Sequence, residues 1–352
     1  MILGGWTRRL PPLPGELLTS CLARNAHAHG SSPYRFLALF WPRDPVWERD
    51  FDRHPRALGR AGEARPDWLA DIAGKLQVPV ATIEAATLQG LRQVLSGGRA
   101  GATGDTPLLL SAGVYHRTRR CHALQFCPDC LSEGTPHYRR VWRIGFVVAC
   151  EVHGDRLLRD ACPHCDASVV PHRSMTLSMT DCHACGQSLT ARRAEDRGRQ
   201  LPDGSLSLQR ALLALTAGEA GVRVGPWSDR AAFDGVRALI AVSAPRIVHA
   251  ALRDALGLPP ASVPGRGRLR FEEAQTAARV AWLETVAALL ADWPRLFRAS
   301  AHGARITQRS FARRQSPAAL AAEVGRLPDG IRRDRTWVPV LEELVPGFWT
   351  GG

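Results

Sequence analysis

Apolar residues recur at helical spacing through most of this chain and give way, in its middle, to paired cysteines. From Glu16 to His29, the residues Leu17, Leu18, Cys21, Leu22 and Asn25 fall on one side at three- and four-residue intervals, which predicts an amphipathic helix. Cys21 in that stripe reads as a small buried hydrophobe, the usual fate of a free cysteine. Pro33, Pro42, Pro45 and Pro55 then cut the chain into short helical pieces. Between Asp67 and Leu88 the pattern is more specific. Leu69, Ile72, Ala73 and Leu76 form one face, Gln77-Val78-Pro79 makes a turn, and Val80, Ile83 and Leu88 resume the spacing. This predicts a helix-turn-helix. Its second helix, Val80 to Thr87, carries no Arg or Lys, so a plain helical hairpin is the competing reading. Beyond residue 200, amphipathic runs at 206–217, 230–241, 245–256, 271–291 and 317–325 predict a helical bundle. Within it, Arg246 to Leu256 and Pro317 to Val324 are compatible with further helix-turn-helix units. Arg305, Arg309, Arg313 and Arg314, spaced around Phe311, read as a solvated helix face or a phosphate-facing stripe.

Four ligand pairs interrupt this helical pattern: Cys127-Pro-Asp-Cys130, Cys150-Glu-Val-His153, Cys162-Pro-His-Cys165 and Cys182-His-Ala-Cys185. A two-residue gap lets a tight turn aim both side chains at one tetrahedral Zn²⁺. Taken in order, the first site is Cys127, Cys130, Cys150 and His153, and the second is Cys162, Cys165, Cys182 and Cys185. An interleaved, cross-braced pairing is the alternative. Sequential pairing is favoured because 19 and 16 residues lie within the two sets, enough for a short hairpin each, whereas only eight separate His153 from Cys162. Four protein ligands leave no position for water or substrate, so both Zn²⁺ ions are expected to be structural. A deaminase would place His-x-Glu ahead of Pro-Cys-x-x-Cys; here the proline follows the cysteine and no His-x-Glu precedes it. Catalytic zinc chemistry, whether of a deaminase or a nuclease, is therefore disfavoured, and no enzyme is expected. Cys121, His122, His137, His164, His172 and His183 are spare donors outside the pattern.

Composition narrows the partners. The 352 residues are 45% hydrophobic and 22% charged, ordinary for a globular protein of two or three domains. No apolar run suits a membrane span and no secretory signal opens the chain, so reduced, metal-bound thiolates in the cytoplasm are expected. Lys plus Arg number 46 against 33 Asp plus Glu, a net charge of +13, and Lys75 is the sole lysine. Such an excess suits an anionic partner, with double-stranded DNA the default for a soluble protein. The glycine-rich stretch 96–106 lacks the Gly-Lys-Ser/Thr ending of a phosphate-binding loop, and no nucleotide site is expected there. The expected architecture is mainly α with a small zinc-ribbon (α+β) central module. It divides into an N-terminal helix-turn-helix-like region (1–120), a tandem zinc-ribbon module (121–191) and a C-terminal helical domain (192–352). Arg192 to Arg199 forms a charged hinge between the last two.

The residues between and around the pairs carry a resemblance. Leu124-Gln-Phe-Cys-Pro-Asp-Cys130, Tyr138-Arg-Arg-Val-Trp-Arg143, Phe146, Cys150-Glu-Val-His-Gly154, Ala161-Cys-Pro-His-Cys165 and Cys182-His-Ala-Cys-Gly186 together closely resemble the TniQ family of transposon target-site selection proteins. Upstream, Leu13-Pro-Gly-Glu-Leu-Leu-Thr-Ser-Cys-Leu-Ala-Arg24 is similar to the family's opening segment, with Leu18 where Ser is common and Cys21 where Trp is common. The resemblance implies an accessory transposition protein that bridges target DNA, or a target-bound complex, to an AAA+ ATPase regulator of the TniB/TnsC type. It also implies a homodimer and, in some members, docking on a CRISPR effector complex. A stand-alone zinc-ribbon and helix-turn-helix DNA-binding regulator is the second reading. Inside the matched region, Trp142 and Phe146 are expected to pack the first ribbon's hairpin against the N-terminal helices. Arg139, Arg140 and Arg143 are candidates for phosphate contact, or else for surface pairing with Glu133 and Asp129.

Overall fold

A computed structural model describes residues 5–41, 50–53, 67–97, 106–110, 124–154, 156–191, 200–261, 263, 270–311 and 316–330. Cys121, His122, most of the glycine-rich stretch, the Arg192–Arg199 hinge and Arg313–Arg314 lie outside the described residues. Those described form twelve α-helices, short 3₁₀ turns and isolated antiparallel bridges. The fold is mainly helical, as the periodicity predicts. The β part of the central module consists of single bridges, among them Phe126 with Arg159 and Ala149 with Leu157.

Helix α1 (Leu18–Ala28) stands between two hydrophobic cores. Its Leu18, Cys21, Leu22 and Ala26 face the first, with Trp6, Phe36, Leu37, Trp41, Trp68, Leu69 and Ile72. Leu17, just before it, and Ala23 face the second. Burial pushes the Cys21 thiol well above its usual range, consistent with a packed hydrophobe. Helix α2 (Pro33–Phe40) starts at one of the predicted proline breaks. Helix α3 (Trp68–Leu76) begins where the Asp67 carboxylate accepts from the Ala70 N–H and ends at left-handed Gln77. Helix α4 (Val80–Ala86) follows, so the predicted turn and both helices are present, and α5 (Gln89–Ser96) continues beyond them. Leu69, Ile72, Leu76 and Ile83 are buried as the spacing requires.

The second core joins the central segment to the helices after residue 200. Helix α6 (Pro128–Ser132) belongs to the first ligand pair. Then come α7 (Asp203–Ala217), α8 (Ala231–Ser243), α9 (Arg246–Ala255), α10 (Thr276–Ala291), α11 (Arg295–Gly303) and α12 (Ala318–Val324). Helix α10 is buried around most of its circumference and packs on α7, α8, α9 and α11, the position of a bundle's central helix. The run 271–291 is not one helix. A 3₁₀ turn at Phe271–Glu273 is followed by α10, whose first N–H, on Thr276, donates to Asp160 Oδ2 at 2.6 Å. Helix α11, which begins behind Pro294, has no counterpart among the predicted runs.

Buried polar groups stitch the central segment to this bundle. Gln209 on α7 accepts from the Val148 and Ala149 N–H groups at 2.8 and 3.0 Å and donates to the Ala149 carbonyl at 2.9 Å. Arg279 on α10, wholly buried, donates to the carbonyls of Gly145 and Ala274. Gln125 donates to the carbonyls of Trp142 and Val147 and accepts from the Thr276 hydroxyl. Each such side chain satisfies backbone groups of an irregular segment that has no ladder of its own.

Candidate metal centres

The first centre grows from two turns held at a core surface. Cys127 precedes the N-terminus of α6, whose single turn brings Cys130 to the same side. Cys150 follows the bridge between Ala149 and Leu157, and the chain then turns through His153 and left-handed Gly154. His153 Nδ1 lies 3.5, 3.3 and 3.5 Å from the sulfurs of Cys127, Cys130 and Cys150, and the Cys130 and Cys150 sulfurs are 3.5 Å apart. Tetrahedral zinc with ordinary Zn–S and Zn–N bonds sets donor atoms about 3.5–3.8 Å from one another. The donor set fits zinc. The Val152 and His153 N–H groups point at Cys150 Sγ, both at 3.4 Å, an arrangement that favours a thiolate there. With Nδ1 given to the metal, His153 Nε2–H donates to Glu133 at 3.1 Å, which fixes the ring and its tautomer.

The second centre is a pair of near-identical knuckles. Cys162 and Cys182 sit on matching bridges, Ala161 with Ser168 and Asp181 with Ser188. In each, the residue after the second cysteine adopts a left-handed conformation: Asp166 at φ 57° and Gly186 at φ 70°. Each folds its N–H back to the carbonyl of the first cysteine, at 3.1 and 2.9 Å. His164 N–H and Ala184 N–H both point at the first sulfur of their knuckle at 3.4 Å. Across the knuckles, Cys162 to Cys185 and Cys165 to Cys182 are both 3.7 Å between sulfurs, again the spacing of a tetrahedral zinc site.

The ligands therefore combine in chain order, and the interleaved arrangement is excluded. The two sets differ in setting. Cys127 and Cys150 are fully buried among Phe126, Leu131 and Trp142 in the larger core, whereas Cys165 and Cys185 are exposed. Among the described residues no further group of three or more donors gathers; His137, His164, His172 and His183 stand outside both sets.

The expected packing and charge contacts need correction. Phe146 stacks on Phe233 of α8, at 6.2 Å between ring centres, a contact with the C-terminal bundle that the spacing does not foresee. Trp142 stands edge-on to Tyr138 and donates to Glu151 at 3.2 Å. Tyr138 is the residue that meets α1: its N–H donates to the Ser20 hydroxyl and its carbonyl accepts from Leu17. Arg143 is buried, paired with Asp50 and bonded to the Leu110 carbonyl, with Asp52 at 3.8 Å, so it does not present its charge to a partner. Arg139 pairs with Glu151 at 3.1 Å, and Asp129 pairs with Arg156. Arg140 is half-buried, and burial lowers its pKa. The partners foreseen for these arginines, Glu133 and Asp129, are thus engaged elsewhere.

The opening segment has a role the sequence pattern did not expose. Glu16 is buried and accepts from Arg24 Nε and Nη2 at 2.8 and 2.7 Å, from the Ser20 hydroxyl at 2.8 Å and from Leu13 N–H at 2.9 Å. Ser20 in turn holds Tyr138, so this network ties α1 to the segment between the ligand pairs. The spacing Glu16, Ser20, Arg24 is one residue every four, a helical-face signal that polar residues share with apolar ones.

Residues 7–157 match the model of the TniQ family. The match takes in α1, the helix-turn-helix and the whole first centre, and ends before Cys162. No curated protein matches the chain.

Proposed function

We propose that the chain is a non-catalytic adaptor in transposition, selecting a target site by joining target DNA, or a complex already on it, to an AAA+ ATPase regulator. The observation that carries this reading is the TniQ match across residues 7–157, because it includes a complete metal centre with all four positions held by protein. A closed tetrahedral set has no place for a reacting water, so such a centre shapes a surface rather than activating a substrate. The basic charge of +13 and the helix-turn-helix of α3 and α4 support a DNA partner. No single helix among the described residues is long and apolar enough to cross a membrane. Thiolate-rich zinc sites suit the reducing cytoplasm.

The test is co-purification with a candidate AAA+ ATPase regulator of the TniB/TnsC type, with and without duplex DNA. Recovery of a ternary complex supports the adaptor. A protein that binds DNA tightly and never retains the ATPase would instead be a stand-alone regulator.

A further inference from the structure

The second helix of the helix-turn-helix carries no cation of its own, and the structure places one beside it from elsewhere. The outward residues of α4 are Val80, Ala81 and Ala85. On α3, Lys75 is engaged with Asp71 at 3.1 Å and lies over the Phe40 ring at 5.2 Å. The chain ahead of α1, residues 6–10, crosses this region as an arm pinned along its length. Trp6 is buried in the first core and its N–H donates to the Lys75 carbonyl at 3.2 Å. At the other end, Leu10 exchanges two hydrogen bonds with the Asn25 side chain, at 2.9 and 2.8 Å. Between these anchors Arg8 and Arg9 are exposed. Arg9 Nη1 donates to Gln77 Oε1 at 2.6 Å, on the left-handed residue that makes the turn between α3 and α4. Arg8 Nη1 donates to the Ala28 carbonyl at 3.0 Å.

We propose that this arm is the phosphate-contacting part of the helix-turn-helix: Arg9, with Arg8 beside it, binds the backbone of duplex DNA while α4 lies toward the groove. The inference rests on the DNA partner in the proposed function. A guanidinium has five N–H donors, so Arg9 keeps most of its fork after bonding Gln77. Holding the arm at Trp6 and Leu10 removes the ordering cost that a free tail would meet on binding. Val80, Ala81 and Ala85 make a narrow apolar face that can approach bases, with the one acid of α4, Glu84, half-buried beside it. An acidic protein surface is the competing partner. DNA is favoured because a cationic arm beside a two-helix turn matches a phosphate strand running past a groove.

The experiment is a salt titration of binding to a labelled mixed-sequence duplex by the full chain and three variants. Each lost phosphate contact should lower the slope of log K against log salt by about 0.9. Arg9→Gln should therefore reduce the slope by about 1, Arg8→Gln with Arg9→Gln by about 2, and Arg9→Lys should keep it. Zinc content and the thermal midpoint should be unchanged in all three. Slopes equal to wild type in folded, zinc-loaded variants would overturn the inference and leave the adaptor reading intact. Unchanged DNA binding with loss of the ATPase would also overturn it, assigning the arm to an acidic protein face. Absence of DNA binding by the wild type would overturn it together with direct DNA contact.

Discussion

The two metal centres share one ligand spacing and stand in opposite surroundings. At the first, Cys127 and Cys150 are fully buried, Phe126 and Trp142 close over them, and the same core continues into α7, α8 and α10. At the second, two sulfurs face solvent, and the knuckles are closed by their own backbone bonds and matching bridges. Metal binding free energy is folding free energy wherever the site does not exist in the unfolded chain. The difference is in how much else depends on each site. Loss of the first releases an irregular segment that Gln125, Gln209 and Arg279 tie to the bundle and Ser20 ties to α1. Loss of the second releases chiefly its own turns. The first centre is therefore read as the junction of both cores, and the second as a locally folded surface module.

The largest expected effect is at the ligands. Cys150→Ser should destabilise the whole protein by more than about 4 kcal/mol, with both cores unfolding together. Cys165→Ser should cost the global transition less than about 2 kcal/mol while abolishing one zinc. Denaturant titration with zinc counted at each step separates them, and equal losses would break the distinction. Next is Gln209→Ala, which leaves the Val148 and Ala149 N–H groups unpaired in a buried site, at about 1–3 kcal/mol each. The global midpoint should fall, with zinc still bound at the second centre. A smaller effect is expected from Glu133→Gln, which weakens the acceptor of His153 Nε2–H. Zinc affinity of the first centre should drop roughly 10-fold, toward the lower end for an outer-shell partner, and that of the second should not change.

How much of this could be read from the chain differs between the centres as well. The ligands and their sequential pairing follow from spacing, because a two-residue gap and a short hairpin are local geometry. The turn at Gln77-Val78-Pro79 is legible for the same reason. What joins the first centre to the rest is not local. Gln209 lies some sixty residues from the N–H groups it accepts from, Arg279 reaches Gly145, and the Asp50 and Asp52 partners of Arg143 come from far upstream. Spacing says nothing about such pairs, so Arg143 reads as a surface cation and the stack of Phe146 on Phe233 is not foreseen. The continuity of the larger core from the central segment into the bundle is equally non-local.

A pH-dependent effect is expected in the bundle that the first centre joins. His249 on α9 is buried, and burial, with Arg253 nearby, pulls its pKa down to about 4. The unfolded chain takes up this proton near its ordinary value, so the unfolded state binds more protons between about 6.5 and 4 and stability is lost as pH falls through that window. His249→Gln should remove this loss and gain up to about 3 kcal/mol relative to wild type by pH 4. Comparing the two proteins at each pH cancels protonation of the zinc ligands. A constant difference would show that His249 titrates normally in the fold.

Stepwise zinc removal tests the central claim most directly. Native mass spectrometry should first find two zinc ions per chain. During titration with a chelator, one should leave early while the helical signal and the thermal unfolding of both cores persist, and Cys165 and Cys185 should become alkylated at that step. The second zinc should leave only with cooperative unfolding. Loss of both ions in one step, or a chain that keeps its cooperative fold after losing both, would contradict the account.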